Sequence, residues 1–191
     1  MTLDIGAGDG RFAYRLAREN PHRFFLGIDA NAAPLCKISE KIHRRPERGG
    51  AANLRFVLAA VEELPPELDH IADQVQVQFP WGSLLRGVVK GDELVLGNLR
   101  RVCLPEAQLE VVVSLEETKD RSEIERLNLP ALSNEYLGGE LKERYRAAGF
   151  ALVEHGAITG APRRIESSWG RRLQNNPRRR VLYLRARAIE G

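Results

Sequence analysis

Apolar and polar positions along the chain switch repeatedly between a spacing of two and a spacing of three to four, the periods of strands and helices. Residues 2–5 read as the end of a buried strand, cut short by the start of the chain. Residues 11–20 predict an amphipathic helix with Phe12, Ala13, Leu16 and Ala17 on one side, closed by Pro21. A second strand is expected over 23–29. Asn31 is placed to cap a helix that runs to about residue 45 and stops at Pro46. A third strand covers 54–59, and Leu64-Pro65-Pro66 punctuates the loop after it. Residues 72–79 alternate, with Val75, Val77 and Phe79 on one face and Gln74, Gln76 and Gln78 on the other, as a fourth strand should. Helices over 84–90 and 92–101, a strand over 108–115 and a helix over 134–148 ending at Gly149 follow. Strands at 151–155 and 181–189 close the pattern. Such alternation, finished by two strands, predicts one α/β domain over 1–191: a doubly wound, seven-stranded sheet with ligands at the carboxyl ends of its strands.

Composition narrows the function classes. With 191 residues and 43% hydrophobic content, the chain suits one core. The absence of a long apolar run or a leader makes a cytoplasmic monomer the default expectation. Cys36 and Cys103 stand far apart in helix- and strand-like sequence and are expected to be reduced, buried thiols. His22, His43, His70 and His155 have no ligand spacing, so no metal is expected. The net charge is only +3, but it is unevenly spread: nine arginines lie between Arg163 and Arg187 against the single acid Glu166, while residues 106–125 are acid-rich. That asymmetry, made of arginine, favours RNA on one face. It makes residues 156–180, between the last two strands, a candidate basic substrate-binding insertion.

The candidate cofactor site is at the first strand. L-D-I-G-A-G-D-G at 3–10 supplies a glycine turn in front of a helix N-terminus, with Asp4 inside the strand. Asp29 ends the second strand, where a carboxylate can accept the hydroxyls of a ribose. A dinucleotide fingerprint would need a third glycine where Arg11 stands, and a pyrophosphate has no use for Asp9. S-adenosylmethionine has no phosphate and carries a cationic amine, so acids around the loop suit it. Glu62, in A-A-V-E-E-L-P, fits its adenine end.

The candidate substrate site rests on the chain's two tryptophans. Trp81 follows Pro80 and precedes Gly82 at a strand end. Trp169 sits in S-S-W-G-R-R-L among the arginines. Each could instead be core. Together they suit a planar base held between two indole faces. Ser83 and Ser167 could equally be helix caps.

F-P-W-G-S-L-L-R-G-V, A-A-x-E-x-L-P, R-P-E-R-G-G and S-x-W-x-x-R-L, in order over nearly the whole chain, resemble the Kam/Npm-type 16S rRNA adenine-1408 N1-methyltransferases known for aminoglycoside resistance. The resemblance implies a class I S-adenosylmethionine-dependent methyltransferase with a Rossmann-like sheet, whose N-terminus is here truncated within the first strand. It implies that Asp4, Gly6, Gly8, Asp29, Ala60, Glu62 and Ser83 line the cofactor pocket. It implies that Trp81 and Trp169 sandwich a flipped adenine of the 30S subunit, with Ser167 orienting the Trp169 loop or the cofactor. Arg172 and Arg179 would meet rRNA phosphates. N1 of neutral adenine carries a lone pair and no proton, which agrees with aromatics at the site and no acid–base pair. Two alternatives stand beside this reading. One is a tRNA guanine-N7 methyltransferase, although those enzymes usually carry Asp where Phe79 stands. The other is a non-catalytic RNA-binding module on the same fold.

Overall fold

The computed structural model describes residues 1–116, 118–158 and 180–190. Seven strands form one sheet: β1 (Thr2–Ile5), β2 (Phe25–Asp29), β3 (Leu54–Leu58), β4 (Ala72–Gln78), β5 (Cys103–Leu115), β6 (Phe150–Ala157) and β7 (Arg180–Ala188). Their spatial order is β3-β2-β1-β4-β5-β7-β6. All neighbours are parallel except β7, which runs antiparallel to both β5 and β6. The order reverses between β1 and β4, and that reversal opens a crevice at the carboxyl ends of these strands.

Helices cover both faces. In β2, Phe25 points into a small core with Ala13 and Ala17 of α1 (Arg11–Glu19), and α2 (Ala32–Ile42) lies on that side through Leu35 and Ile38. The alternate residues Leu26 and Ile28 enter the main core. There they meet Leu85 and Val88 of α3 (Gly82–Lys90), Leu96 and Leu99 of α4 (Glu93–Arg101), and Leu141 and Tyr145 of α7 (Glu140–Ala147). Two shorter helices, α5 (Arg121–Leu127) and α6 (Asn134–Gly138), precede α7.

Several expectations are corrected by the structure. The single helix expected over 134–148 is two, broken at Gly139, whose backbone (φ −105°, ψ −101°) is not helical. β5 begins five residues earlier than expected. Its register with β4 shifts after Ala72↔Cys103, and Glu106 sits at φ 62° in the irregular stretch. Phe79 leaves the β4 alternation: at φ 53° its side chain joins Val112 and Val181 on the opposite face from Val75 and Val77. Cys36 is exposed, because the buried face of α2 runs through Leu35, Ile38 and Ile42, while Cys103 is buried as expected. Asn31 does cap α2, its side chain accepting the Ala33 N–H at 3.1 Å.

The charge asymmetry is partly an effect of strand pairing. β7 brings Arg185 to Glu110 (2.9 Å) on β5 and Glu154 (2.8 Å) on β6, and Arg187 to Glu106 (3.2 Å). These arginines are balanced by the acid-rich stretch and contribute little to a free basic face.

Candidate active site

β1 ends in a tight turn over the sheet. Gly6 and Gly8 have φ of 75° and 57°, a region unfavourable for side chains. The Gly6 and Ala7 N–H groups donate to the Ile28 carbonyl at 2.8 and 3.0 Å, which clamps the loop to β2. A Cβ at Gly6 would stand 2.7 Å from Leu84 Cδ2, so glycine is required for close packing on α3. A Cβ at Gly8 would meet nothing within 4 Å, and the space above it is open.

Asp29 locks this loop from the next strand. Its Oδ2 accepts the Gly8 N–H at 2.7 Å and its Oδ1 the Asn31 N–H at 2.8 Å. The third side is the turn after β3. Asn98 of α4 donates to the Val61 and Glu62 carbonyls, both at 3.0 Å, and so fixes Ala60 to Glu62 from behind. The fourth side is the turn after β4. Phe79 is held in its left-handed conformation by its N–H bond to the Val112 carbonyl (2.8 Å), and Pro80 is buried. Trp81 is 50% exposed.

These four turns enclose a cavity of about 360 Å³. It is lined by Gly6, Gly8, Asp29, Ala60, Glu62 and Ser83, with Trp81 at its edge. Asp9, Val61, Phe79 and Leu84 join them; all four stand inside the quoted motifs, but of these only Asp9 was expected beside the ligand. Asp4 is not in the lining. It is buried beneath the loop, and its Oδ2 has no hydrogen-bond partner among the described residues. Trp169, Ser167, Arg172 and Arg179 lie outside the described residues.

The electrostatics favour a cationic ligand. Among the described lining residues Asp9, Asp29 and Glu62 are acids, and none is Lys or Arg. A pyrophosphate would meet like charge there, whereas S-adenosylmethionine brings a sulfonium and an ammonium. Burial first, then the charges of Asp29 and Asp9, push the Asp4 carboxyl up from 3.8 to about 7, against a lowering by the Ala13 N–H. Below about pH 7 the neutral form is therefore favoured in the folded, ligand-free protein. Its stabilising contribution is complete below the unfolded value and is lost as pH rises through about 7. We expect the melting temperature of the ligand-free protein to carry a declining component between pH 4 and 7 that Asp4→Asn removes. Parallel melting-temperature curves for the two proteins across that window would contradict this.

A sheet of order β3-β2-β1-β4-β5-β7-β6 with an acid-lined crevice over its glycine turn is the arrangement of a class I S-adenosylmethionine-dependent methyltransferase. Comparison with known proteins is specific. The profile of the NpmA family, 16S rRNA (adenine(1408)-N(1))-methyltransferase, matches residues 1–188. The chain is 36% identical over 178 residues to the enzyme of that name from Escherichia coli, across 91% of this chain and 80% of the relative. It superposes with a TM-score of 0.86 on the aminoglycoside resistance methyltransferase NpmB1, at 43% identity over 98% of this chain and 86% of the other. A mutant of the 16S rRNA (adenine(1408)-N(1))-methyltransferase from Catenulisporales acidiphilia, solved with its cosubstrate SAM, superposes with a TM-score of 0.90 at 35% identity, covering all of this chain and 86% of that one. The chain belongs to the 16S rRNA (adenine(1408)-N(1))-methyltransferase family. It is an enzyme, and S-adenosylmethionine is its methyl donor.

Proposed function

We propose that the protein methylates N1 of an adenine in 16S rRNA within the 30S subunit, acting as a cytoplasmic monomer, and that the modification protects the ribosome from aminoglycosides. The observation that carries this reading is the placement of Trp81. Its half-exposed indole stands at the mouth of the crevice that suits the cofactor, where a base swung out of its helix could be stacked. Trp169, in the segment between β6 and β7, would supply the second face, with Ser167 orienting that segment.

S-adenosylmethionine supplies an electrophilic methyl group. The protein's own contribution is placement. Asp29 and the Gly6–Gly8 turn fix the ribose end, Ala60 and Glu62 the adenine end, and Ser83 lies on the side shared with Trp81. Asp4 sits under the loop as a buried carboxylate whose ionised form a bound cation would favour. N1 of adenine attacks with its own lone pair, so no side chain has to remove a proton. Positive charge then develops on the adenine ring between indole faces, and stacked aromatics favour that charge more in the transition state than before it.

Family membership favours this substrate over tRNA guanine-N7, and the intact crevice argues against a non-catalytic module. No described helix is long and apolar enough to cross a membrane, and no described cluster of His, Cys, Asp and Glu could hold a metal ion. The basic segment 156–180 would carry the ribosome contacts through Arg172 and Arg179. Replacing either by Ala should weaken binding to 30S subunits and lower the slope of log affinity against log salt by about one, since one fewer phosphate contact releases fewer counterions. Cofactor affinity should not change. An undiminished salt slope in filter binding would assign both arginines to a solvated surface.

A further inference from the structure

Beyond β3 the chain makes one tight helical turn, Val61–Glu63, and leaves it in extended conformation at Leu64. The Glu63 N–H closes the turn on the Ala60 carbonyl at 3.1 Å. So short a turn cannot bond its own last carbonyls, which need donors from elsewhere. Ala60, Val61 and Glu62 line the crevice, so the placement of this turn sets the distance across it to Gly8 and Asp29.

The donors come from α4. Asn98 carries two N–H groups on one side-chain nitrogen. That nitrogen donates to both the Val61 and the Glu62 carbonyl, at 3.0 Å each. Arg101 stands three residues on, on the same face of the helix. Its Nη2 donates to the Leu64 carbonyl at 2.6 Å and its Nη1 to the Asp69 carboxylate at 2.7 Å. The segment then returns to the end of α4, where the His70 and Ile71 N–H groups donate to the Arg101 and Val102 carbonyls at 3.0 and 3.1 Å. Val61 and Leu64 are buried in the same core as Leu96 and Leu99 of α4. The helix is itself capped, the Asp92 side chain accepting the Val95 N–H at 3.3 Å. The turn is thus tied to one helix by side-chain bonds to its carbonyls, and neither Asn98 nor Arg101 lines the crevice.

We propose that Asn98, seconded by Arg101, is a positioning residue for S-adenosylmethionine: it ties the Val61–Glu63 turn to α4 and so holds Ala60 and Glu62 at the spacing that the adenosine half of the cofactor requires. This rests on the reading of Ala60 and Glu62 as the adenine end. The reacting methyl group is carried on the sulfur beyond the ribose, away from the adenine. The pair therefore acts on cofactor affinity and not on the turnover of a saturated enzyme. Truncating Asn98 leaves two carbonyls without their donor, and the turn is released to find other partners.

The test compares Asn98→Ala, Asn98→Asp and Arg101→Ala with the parent, with Glu62→Ala, and with Phe150→Leu, a core change on β6 at the far edge of the sheet. Affinities for S-adenosylmethionine and S-adenosylhomocysteine are measured by calorimetry well below each melting temperature, and kcat with 30S subunits at saturating cofactor. Asn98→Ala should raise both dissociation constants about tenfold and by the same factor, since both ligands carry the adenosine, while kcat stays within about threefold. Asn98→Asp keeps the shape without the donors and should match it. Arg101→Ala should raise the constants by a smaller factor, about threefold. Phe150→Leu should lower the melting temperature and leave the affinities at the parent value. Parent affinities in Asn98→Ala, beside a weakened Glu62→Ala, overturn the positioning role and leave the adenine end standing. Parent affinity in Glu62→Ala rejects the adenine end itself, and the proposal with it. A Phe150→Leu protein weakened as much as Asn98→Ala reduces the effect to general loss of stability and also overturns the proposal. If neither Asn98 variant folds, Arg101→Ala decides, and parent affinities in that protein overturn it.

Discussion

Trp81→Ala should lower methyl transfer by roughly two to three orders of magnitude and leave the melting temperature nearly unchanged. Base–aromatic stacking is worth about 1–3 kcal/mol. A desolvated cation–π contact adds on the order of 2 kcal/mol as the adenine ring becomes positive. Each 1.4 kcal/mol, roughly, is a factor of ten in rate. Set against this, a core tryptophan truncated to alanine costs about 3–5 kcal/mol of stability. Trp81 is 50% exposed, so its removal opens no comparable cavity. Trp81→Phe keeps an aromatic face and should keep part of the rate. Trp169→Ala is expected to follow Trp81→Ala. A thermal melt beside a transfer assay decides: strong destabilisation, with activity falling only in proportion to the folded fraction, would make Trp81 a packing residue.

The second large effect belongs to Asp29. Its two oxygens already accept the Gly8 and Asn31 N–H groups at 2.7 and 2.8 Å, so one side chain both shapes the glycine loop and offers its remaining lone pairs to a ribose. Bonds to a charged acceptor are worth about 1.5–3 kcal/mol each. Asp29→Ala should therefore weaken S-adenosylmethionine binding by at least tenfold, and by roughly a hundredfold if the loop also relaxes. Asp29→Asn should fall between, as its one oxygen can serve only part of this set. The fold should survive, since β2 is held to β1 and β3 by backbone pairing. Calorimetry that finds the parent affinity for Asp29→Ala would remove this carboxylate from the cofactor site.

The elements that made the site legible were local ones. The glycine turn after β1, Asp29 at the end of β2, Glu62 after β3 and Trp81 after β4 each lie at the last residue of a strand or within four residues beyond it, and a doubly wound sheet brings such positions together by topology alone. What stayed hidden depended on long-range pairing. The acid-rich stretch reads as a segregated surface until β7 sets Arg185 and Arg187 against Glu110, Glu154 and Glu106. Asp4 reads as a lining residue because it adjoins the glycines. Strand alternation instead turns it beneath the loop, where burial raises its pKa. Phe79 follows the apolar alternation of β4 in sequence, and only its positive φ sends it to the other face. Helix α5, seven residues long, was not foreseen from the sequence.

The central claim is the identity of the methylated atom. Purified protein, labelled S-adenosylmethionine and intact 30S subunits, with bulk tRNA in parallel, provide the direct measurement once the RNA is digested and its modified nucleosides are separated by mass spectrometry. The account predicts label in 16S rRNA as 1-methyladenosine at a single adenine, and none in tRNA. Label recovered as 7-methylguanosine in tRNA, or no transfer to 30S subunits by a protein that binds S-adenosylmethionine, would contradict it.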